Sequence, residues 1–238
     1  MQLGSLNFWG KFRSSNKQYV VLGLGRFGRA VCSTLHQMGY EVMGIDSGEK
    51  QVAQAVNDNI VSHALQLDTT DRQALAEAGV FEFESAIVAI GNYIEASTIT
   101  TLNLKDGGVK YVVAKASTEI HGQLLEKVGA DLVIFPEREM GCQVARMLTR
   151  PNVLERLDLD ANNSVVELVV PAEFEGKTLQ ELQLRPRYGV NVLALAQQCN
   201  SGGVENLQVN PNPYEKLQKG MVLIIIGSNE GIEKLPMD

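Results

Sequence analysis

The segment YVVLGLGRFGRAV, residues 19–31, gives the strongest indication of the fold. A short apolar run leads into three glycines, and a helical pattern follows them. In strand–turn–helix units of this kind, the first glycine permits a tight turn, the second lets a pyrophosphate approach the backbone, and the third lets the helix pack closely on the strand. Gly23, Gly25 and Gly28 hold these positions. The stretch therefore predicts a phosphate site at the N-terminus of a helix over residues 26–38.

A carboxylate lies where such units place one. Asp46 ends a second apolar run, residues 41–45, and lies 18 residues after Gly28. This is close to the spacing at which an acidic residue binds a ribose hydroxyl. The glycines and the carboxylate together predict an adenine-nucleotide site, and they do not decide between ATP and NAD, because both carry that ribose.

Residues 18–150 alternate strand-like and helix-like patterns. Continuous apolar runs such as residues 87–90 are typical of strands that are buried on both faces of a parallel sheet. The alternation predicts a Rossmann-like, doubly wound parallel sheet that binds ligands outside the carboxyl ends of its strands. The predicted strands are 19–22, 41–45, 60–65, 86–90, 111–114 and 132–134, and the predicted helices are 26–38, 50–56, 71–78, 93–105, 118–127 and 137–148.

The rhythm changes after residue 150. Residues 165–170, 190–195 and 221–226 have strand patterns, and residues 177–182 have the pattern of a short helix. No second glycine motif follows. The chain is therefore predicted to consist of an N-terminal arm (1–17), a nucleotide-binding domain (18–150) and a small α+β domain (151–238). The apolar and aromatic residues of the arm fit a frayed terminus or a segment that docks on a partner.

Composition narrows the functional classes. The chain has 238 residues and a formal net charge of −7, which argues against a nucleic-acid partner and against an anionic membrane surface. Its 3 cysteines form no CxxC pair, so neither a zinc site nor a disulfide framework is indicated, and a reducing cytoplasm fits. No apolar run approaches the roughly 20 residues that a membrane span needs.

Polar residues follow the third and fourth predicted strands on the ligand side of the sheet. Asp68 and Thr69 are candidates for adenine contact, although their segment also suits the capping of a helix that begins near Asp71. Gly91 and Asn92 border the same predicted crevice, and an ordinary turn between strand and helix explains them equally well.

Three charged residues belong to the same predicted edge. Arg26 lies inside the glycine motif, where a guanidinium can bind phosphate oxygens and where a cation without an anion nearby is unfavourable. Lys115 ends the fifth predicted strand, and Glu137 opens the helix that follows the sixth. Each of the last two also fits a surface or helix-terminal charge.

Catalytic residues are not indicated. His36, His63 and His121 are isolated, with no metal-ligand spacing, and each fits a structural or solvated histidine. No nucleophile motif or acid–base pair accompanies the glycine motif. We therefore expect a binding protein rather than an enzyme.

Several segments together resemble the RCK family, whose cytosolic domains regulate potassium conductance, and within it the regulatory subunits of bacterial Ktr potassium uptake systems. The resemblance covers residues 17–235. The segments that carry it are GLGRFG (23–28), ID (45–46), VAIGNYIEAS (88–97), AKA (114–116), VGAD (128–131) and PEREMG (136–141).

The resemblance implies a nucleotide-binding RCK N-lobe, a crossover helix near residues 137–149 and an RCK C-lobe. It implies homodimers that assemble into an octameric ring beneath a KtrB-like, potassium-translocating membrane subunit, with ATP and ADP stabilising different ring shapes. Phe27 lies within the matched glycine loop, and Arg26 corresponds to an arginine that reaches nucleotide phosphate. Glu137 corresponds to a carboxylate that places a divalent cation such as Mg²⁺ or Ca²⁺. Arg185 lies in the region where some members bind cyclic di-AMP, although Pro186 interrupts that match.

Two other functions stay open. One is a TrkA-type potassium uptake regulator that senses NAD or NADH, although such chains usually carry two nucleotide domains in tandem. The other is a small NAD-dependent oxidoreductase, for which the sequence offers no residue set suited to proton transfer. A redox repressor of the Rossmann type lacks the basic DNA-binding segment that it would need.

Overall fold

The computed structural model describes residues 18–199 and 204–236, and the predicted N-terminal arm lies outside them. The described residues form two compact units, residues 18–140 and 141–236. The boundary falls within one long helix, α6, which covers Pro136–Thr149. The domain boundary predicted at residue 150 lies just beyond the end of that helix.

The first unit is built on a six-stranded parallel sheet with the order β3-β2-β1-β4-β5-β6. Because β1 lies between β2 and β4, the order reverses at β1, and the crevice at the carboxyl end of such a reversal is where open α/β sheets bind ligands. The strands are β1 (Gln18–Leu22), β2 (Glu41–Asp46), β3 (His63–Gln66), β4 (Ser85–Val88), β5 (Tyr111–Lys115) and β6 (Leu132–Ile134).

Helices connect these strands, and apolar layers form on both faces of the sheet. On β1, Val20 and Leu22 belong to one apolar cluster, whereas Tyr19 and Val21 belong to the other. This division follows from the period of two in a strand and explains why the run is continuously apolar. The connecting helices are α1 (Arg26–Gln37), α2 (Glu49–Asn57), α3 (Arg72–Glu77), α4 (Ile94–Asp106) and α5 (Glu119–Lys127), with a 3₁₀ turn at Val80–Glu82.

The second unit contains a five-stranded antiparallel sheet with the order β10-β9-β11-β8-β7. Leu168, Leu195 and Leu223 are buried in its core. The strands are β7 (Val153–Asp158), β8 (Asn163–Val169), β9 (Val190–Gln198), β10 (Val204–Val209) and β11 (Met221–Ser228). The helices are α7 (Leu179–Leu182), α8 (Leu184–Tyr188) and α9 (Asn229–Glu233), with a 3₁₀ turn at Ala172–Phe174.

The predicted fold class is confirmed, and the differences have physical reasons. β7 and β10 are edge strands with mostly polar or exposed residues, so they lack the pattern that marks a strand. The third predicted strand began too early, because Asn59 is left-handed (φ 52°) and pairing of β3 with β2 starts at His63. The fourth ended too late: β4 stops at Val88.

Candidate functional site

A cavity of about 1050 Å³ opens at the carboxyl ends of the strands in the first unit. This volume is at the upper end of the range of about 300–1,000 Å³ that is typical of small-molecule sites. Eleven of the twelve residues predicted to bind the nucleotide line it: Gly23, Gly25, Arg26, Phe27, Asp46, Asp68, Thr69, Gly91, Asn92, Lys115 and Glu137. The sheet topology has therefore brought together residues from six separate segments of the chain.

The remaining predicted residue, Gly28, does not line the cavity. It packs against the backbone of Gly23 instead. A Cβ at Gly28 would lie 1.8 Å from the carbonyl oxygen of Gly23, a distance that no side chain can occupy. Gly23 itself has a φ of +101°, and a Cβ there would lie 3.0 Å from the carbonyl carbon of Ala89. Both glycines are needed for the backbone path, because the turn closes on itself and on the end of β4.

The N-terminus of α1 faces this cavity without a protein cap. Gly25 occupies the N-cap position, and the first turn contains no acidic residue. Within residues 18–199 and 204–236, no side chain makes a cap hydrogen bond at this terminus. A Cβ at Gly25 would meet no atom within 4 Å, so protein packing does not require glycine at this position. The first N–H groups of a helix lack intrahelical partners and carry a partial positive charge, so this terminus is suited to phosphate oxygens.

Asp46 fixes the glycine turn as well as lining the cavity. Its Oδ2 accepts a hydrogen bond of 2.6 Å from the N–H of Leu24, and its Oδ1 accepts one of 2.8 Å from the N–H of Gly48. Each carboxylate oxygen can accept a further hydrogen bond. Binding of a ribose hydroxyl by Asp46 stays a prediction, and the tie to the turn is a role that sequence reasoning missed.

The polar side chains of the segment after β3 form hydrogen bonds within the protein, and two of them, Asp68 and Thr69, also line the cavity. Asp71 caps α3, since its Oδ1 accepts from the N–H groups of Gln73 and Ala74. The Thr69 hydroxyl is buried and lies 2.8 Å from the hydroxyl of Thr100. Asp68 Oδ1 accepts from the N–H and the hydroxyl of Thr70, which hold the pKa of Asp68 below its ordinary value. Adenine contact by Asp68 or Thr69 stays a prediction.

An ion pair connects the end of β5 with the start of α6. Lys115 Nζ lies 2.5 Å from Glu137 Oε1, and the side chain of Lys115 is 11% exposed whereas that of Glu137 is 71% exposed. The hydrogen bond from Lys115 is the largest cause that holds the pKa of Glu137 below its ordinary value, and the nearby charge of Arg26 adds to it. Two cations, Arg26 and Lys115, and the carboxylate of Glu137 therefore lie close together in the cavity lining.

The predicted divalent cation has a limited set of protein ligands. Within residues 18–199 and 204–236, no three His, Cys, Asp or Glu side chains converge on one point. Glu137 supplies a single carboxylate beside the cavity. This donor set fits Mg²⁺, which commonly binds through one or two carboxylates together with substrate phosphates. A cation at Glu137 therefore needs phosphate oxygens as its other ligands.

His121 has a structural environment. Its ring is fully buried, with Nε2 2.7 Å from Ser97 Oγ and with Nδ1 accepting from the N–H of Ser117 at 3.2 Å. Since Nδ1 accepts a backbone hydrogen bond, Nε2 carries the ring proton and donates a hydrogen bond to Ser97 Oγ. Burial lowers the pKa of His121. His63 is exposed, and neither His63 nor His121 is among the residues that line the cavity.

Arg185 lies away from this cavity, in the second unit. It lines a separate cavity of about 630 Å³ together with Pro186, Gln183, Asn191 and Asn210. Binding of cyclic di-AMP at this position stays a prediction.

Sequence reasoning also missed several residues of the first cavity. Ser47, Gly48 and Gln51 follow β2, Tyr93 is the N-cap residue of α4, and Met140 lies in the second turn of α6. Most of these residues could have been found from their positions shortly after a predicted strand, because all parallel strands end at the same edge of the sheet.

The sequence matches two domain families in succession. Residues 19–136 match the TrkA-N domain, and residues 165–235 match the TrkA-C domain. The chain is 36% identical to Ktr system potassium uptake protein A of Bacillus subtilis, over 93% of this chain and 96% of that protein. It is 38% identical to Ktr system potassium uptake protein C of the same organism, over 92% and 95%. The chain belongs to the Ktr family of potassium uptake proteins.

Solved structures agree with this membership at the level of the fold. The GsuK RCK domain superposes with a TM-score of 0.64 at 18% identity, over 93% of this chain and 47% of that one. The GsuK channel bound to NAD superposes with a TM-score of 0.64 at 17% identity, over 98% and 44%. The chain is thus a member of the Ktr family with an RCK fold. In the described residues, none of its helices is both long and apolar enough to span a membrane.

Proposed function

We propose that this chain senses ATP and ADP and gates a KtrB-like, potassium-translocating membrane subunit. Nucleotide binds in the cavity at the carboxyl edge of the parallel sheet, and the identity of the nucleotide determines the shape of a homo-oligomer. The protein is then cytoplasmic and is held at the membrane by its partner. Membership of the Ktr family supports the link to potassium uptake, and the cavity supports the nucleotide.

The observation that carries the proposal is the uncapped N-terminus of α1 beside two cations. Phosphate oxygens accept from the first N–H groups of α1, and the open space at Gly25 lets them approach the backbone. Arg26 and Lys115 then bind the terminal phosphates, and Asp46 accepts from the ribose. A triphosphate carries one more charged group than a diphosphate, so this cluster of charges can distinguish ATP from ADP.

A homo-oligomer is supported by the exposed apolar residues of α6. Met140, Val144, Met147 and Leu148 are 57%, 45%, 54% and 79% exposed, and no residue of this helix is buried. Their spacing places them along one side of a helix, and a stripe of this kind is suited to contact with a second copy. We propose that dimers formed in this way assemble into an octameric ring, with Glu137 and a divalent cation near the phosphates.

A nucleotide can switch the oligomer only by binding its two shapes with different affinity. The proposal therefore requires ATP and ADP to occupy the same cavity and to make different contacts at its phosphate end. No bond in the nucleotide needs to break for this function, and the product of binding is a change of shape.

A thermal-shift comparison of ATP, ADP, NAD and NADH tests the ligand. A ligand at a hundred times its Kd stabilises by about 2.7 kcal/mol, which corresponds to a rise in Tm of roughly 5–10 °C for a chain of this size. We expect such a rise with ATP and with ADP. A larger rise with NADH would favour an NADH-sensing regulator of the TrkA type, and no rise with any of the four would contradict the proposal.

A further inference from the structure

The environment of Lys115 constrains what its ammonium group can do. The side chain is almost buried, with its Nζ 5.6 Å from the centre of the Phe27 ring. A Cβ at Gly91 would lie 3.0 Å from Cε and 3.1 Å from Nζ of this lysine. The lysine therefore passes between the start of α1 and the loop after β4, and it is held at the cavity edge.

An ammonium in this position needs an anion. Burial of an unpaired charge is costly, and the carboxylate of Glu137 is the anion that Lys115 contacts, at 2.5 Å. A phosphate that enters along the N-terminus of α1 would arrive at the same end of the cavity, since Gly25, Arg26, Lys115 and Glu137 all line it. Two anions, one from the protein and one from the ligand, then compete for one ammonium.

We propose that the pair of Lys115 and Glu137 is a latch that nucleotide opens. The phosphate replaces Glu137 as the partner of Lys115, and the first turn of α6 is released from the end of β5. This inference rests on the proposed function, because it requires a nucleotide phosphate in the cavity. It adds that the free protein lowers its own affinity for the nucleotide, because breaking the bond between Lys115 and Glu137 costs part of the free energy that phosphate binding supplies.

The position of Glu137 also couples the binding of nucleotide to the binding of a divalent cation. Glu137 lies in the first turn of α6, the helix within which the boundary between the two compact units falls. Once displaced, its carboxylate lies close to phosphate and repels it, unless a divalent cation takes up both charges. Nucleotide and cation should therefore each bind more tightly when the other is present.

Calorimetric titration of ATP in the presence of EDTA tests the latch through a double-mutant cycle. Glu137→Gln removes the competing charge, so this variant should bind ATP at least about fivefold more tightly than the wild-type chain. Lys115→Met should bind at least about tenfold more weakly. In the Lys115→Met background, Glu137→Gln should give a clearly smaller gain than in the wild-type background, because only the repulsion between carboxylate and phosphate is then removed and no ammonium is released.

Glu139→Gln is the matched control. Glu139 is an exposed carboxylate in the same turn of α6 that does not line the cavity, so its loss should change ATP affinity by less than about twofold. Lys115→Gln replaces Lys115→Met if the latter does not fold, as judged by circular dichroism. Added Mg²⁺ should reduce or reverse the gain in ATP affinity of Glu137→Gln, since in the wild-type chain the carboxylate of Glu137 then binds the cation.

The outcomes separate the two proposals. If wild type binds ATP but Glu137→Gln does not bind it more tightly in EDTA, the latch is wrong and the proposed function stands. An equal gain in the Lys115→Met background would also overturn the latch, because general repulsion would then explain the gain. A wild-type chain that binds neither ATP nor ADP overturns both proposals.

Discussion

The carboxylate of Asp46 holds the N–H of Leu24 at 2.6 Å, and this bond ties the end of β2 to the glycine turn that follows β1. The same carboxylate accepts from the N–H of Gly48 at 2.8 Å. A residue predicted for the ligand thus also organises the backbone that the ligand meets. Changes at this position should therefore alter both stability and binding.

Asp46→Asn should destabilise the fold by about 1–3 kcal/mol, because an amide offers one acceptor oxygen in place of two and leaves a backbone N–H unpaired. Urea unfolding measures the free energy change. Asp106→Asn is the control, since Asp106 pairs with Arg72 at 3.8 Å on the exposed surface. Equal effects of the two substitutions would contradict the structural role of Asp46.

Two glycines of the motif should respond differently to alanine. Gly28→Ala places a Cβ 1.8 Å from the Gly23 carbonyl oxygen, so the backbone must shift at a cost of about 1–3 kcal/mol or more. Gly25→Ala meets no protein atom within 4 Å and should leave stability within about 0.5 kcal/mol of wild type.

The Gly25→Ala variant should nevertheless lose ATP affinity, because its methyl group occupies space that phosphate needs. Urea unfolding and calorimetric titration of both alanine variants separate fold from binding. Unchanged ATP affinity in Gly25→Ala would show that phosphate does not approach this turn.

Arg26→Gln should weaken ATP binding roughly 10–100-fold and should affect ATP more than ADP, since a guanidinium bound to phosphate contributes about 1.5–3 kcal/mol. Arg29→Gln is the matched control on the same helix. Arg29 donates to Gln54 Oε1 at 2.8 Å and pairs with Asp58, so its loss should lower stability slightly and leave ATP affinity unchanged. If titrations find the two variants equally weak in ATP binding, Arg26 has no specific role.

Stability should depend on pH through His121. Burial lowers the pKa of His121 below its ordinary value of 6.5. Between 6.5 and that lowered pKa, the unfolded chain binds a proton that the folded chain does not, so the free energy of unfolding falls as the pH falls through this window.

Urea unfolding at about pH 7.5 and about pH 5.5 measures this dependence. His121→Gln should show a smaller loss of stability between the two pH values than wild type. His63→Gln, which changes an exposed histidine, should keep the wild-type loss. A His121→Gln variant with the full wild-type loss would contradict the assignment.

Much of the first unit followed from sequence because its signals are local. Val20–Leu22 and Ala86–Val88 are apolar on both faces, which is typical only of strands inside a layered sheet. The glycine spacing reflects backbone distances within six residues. The predicted carboxyl ends of the strands were enough to identify most residues of the cavity, because these ends lie at one edge of the sheet.

The contacts themselves could not be predicted, because they join residues that are distant in sequence. The pairing of Lys115 with Glu137 spans 22 residues and depends on how β5 and α6 pack. The bond from Leu24 to Asp46 likewise requires the register of two strands. Edge strand β10 escaped prediction because nearly all of its residues are exposed, so no alternating apolar pattern marks it.

Small-angle X-ray scattering of the purified oligomer, first with ATP and Mg²⁺ and then with ADP, tests whether the bound nucleotide determines the shape of the oligomer. Nucleotide occupancy is confirmed by titration on the same samples. We expect two different scattering curves, because ATP and ADP stabilise different shapes of the oligomer. Superimposable curves from samples that are saturated with each nucleotide would contradict the proposed function.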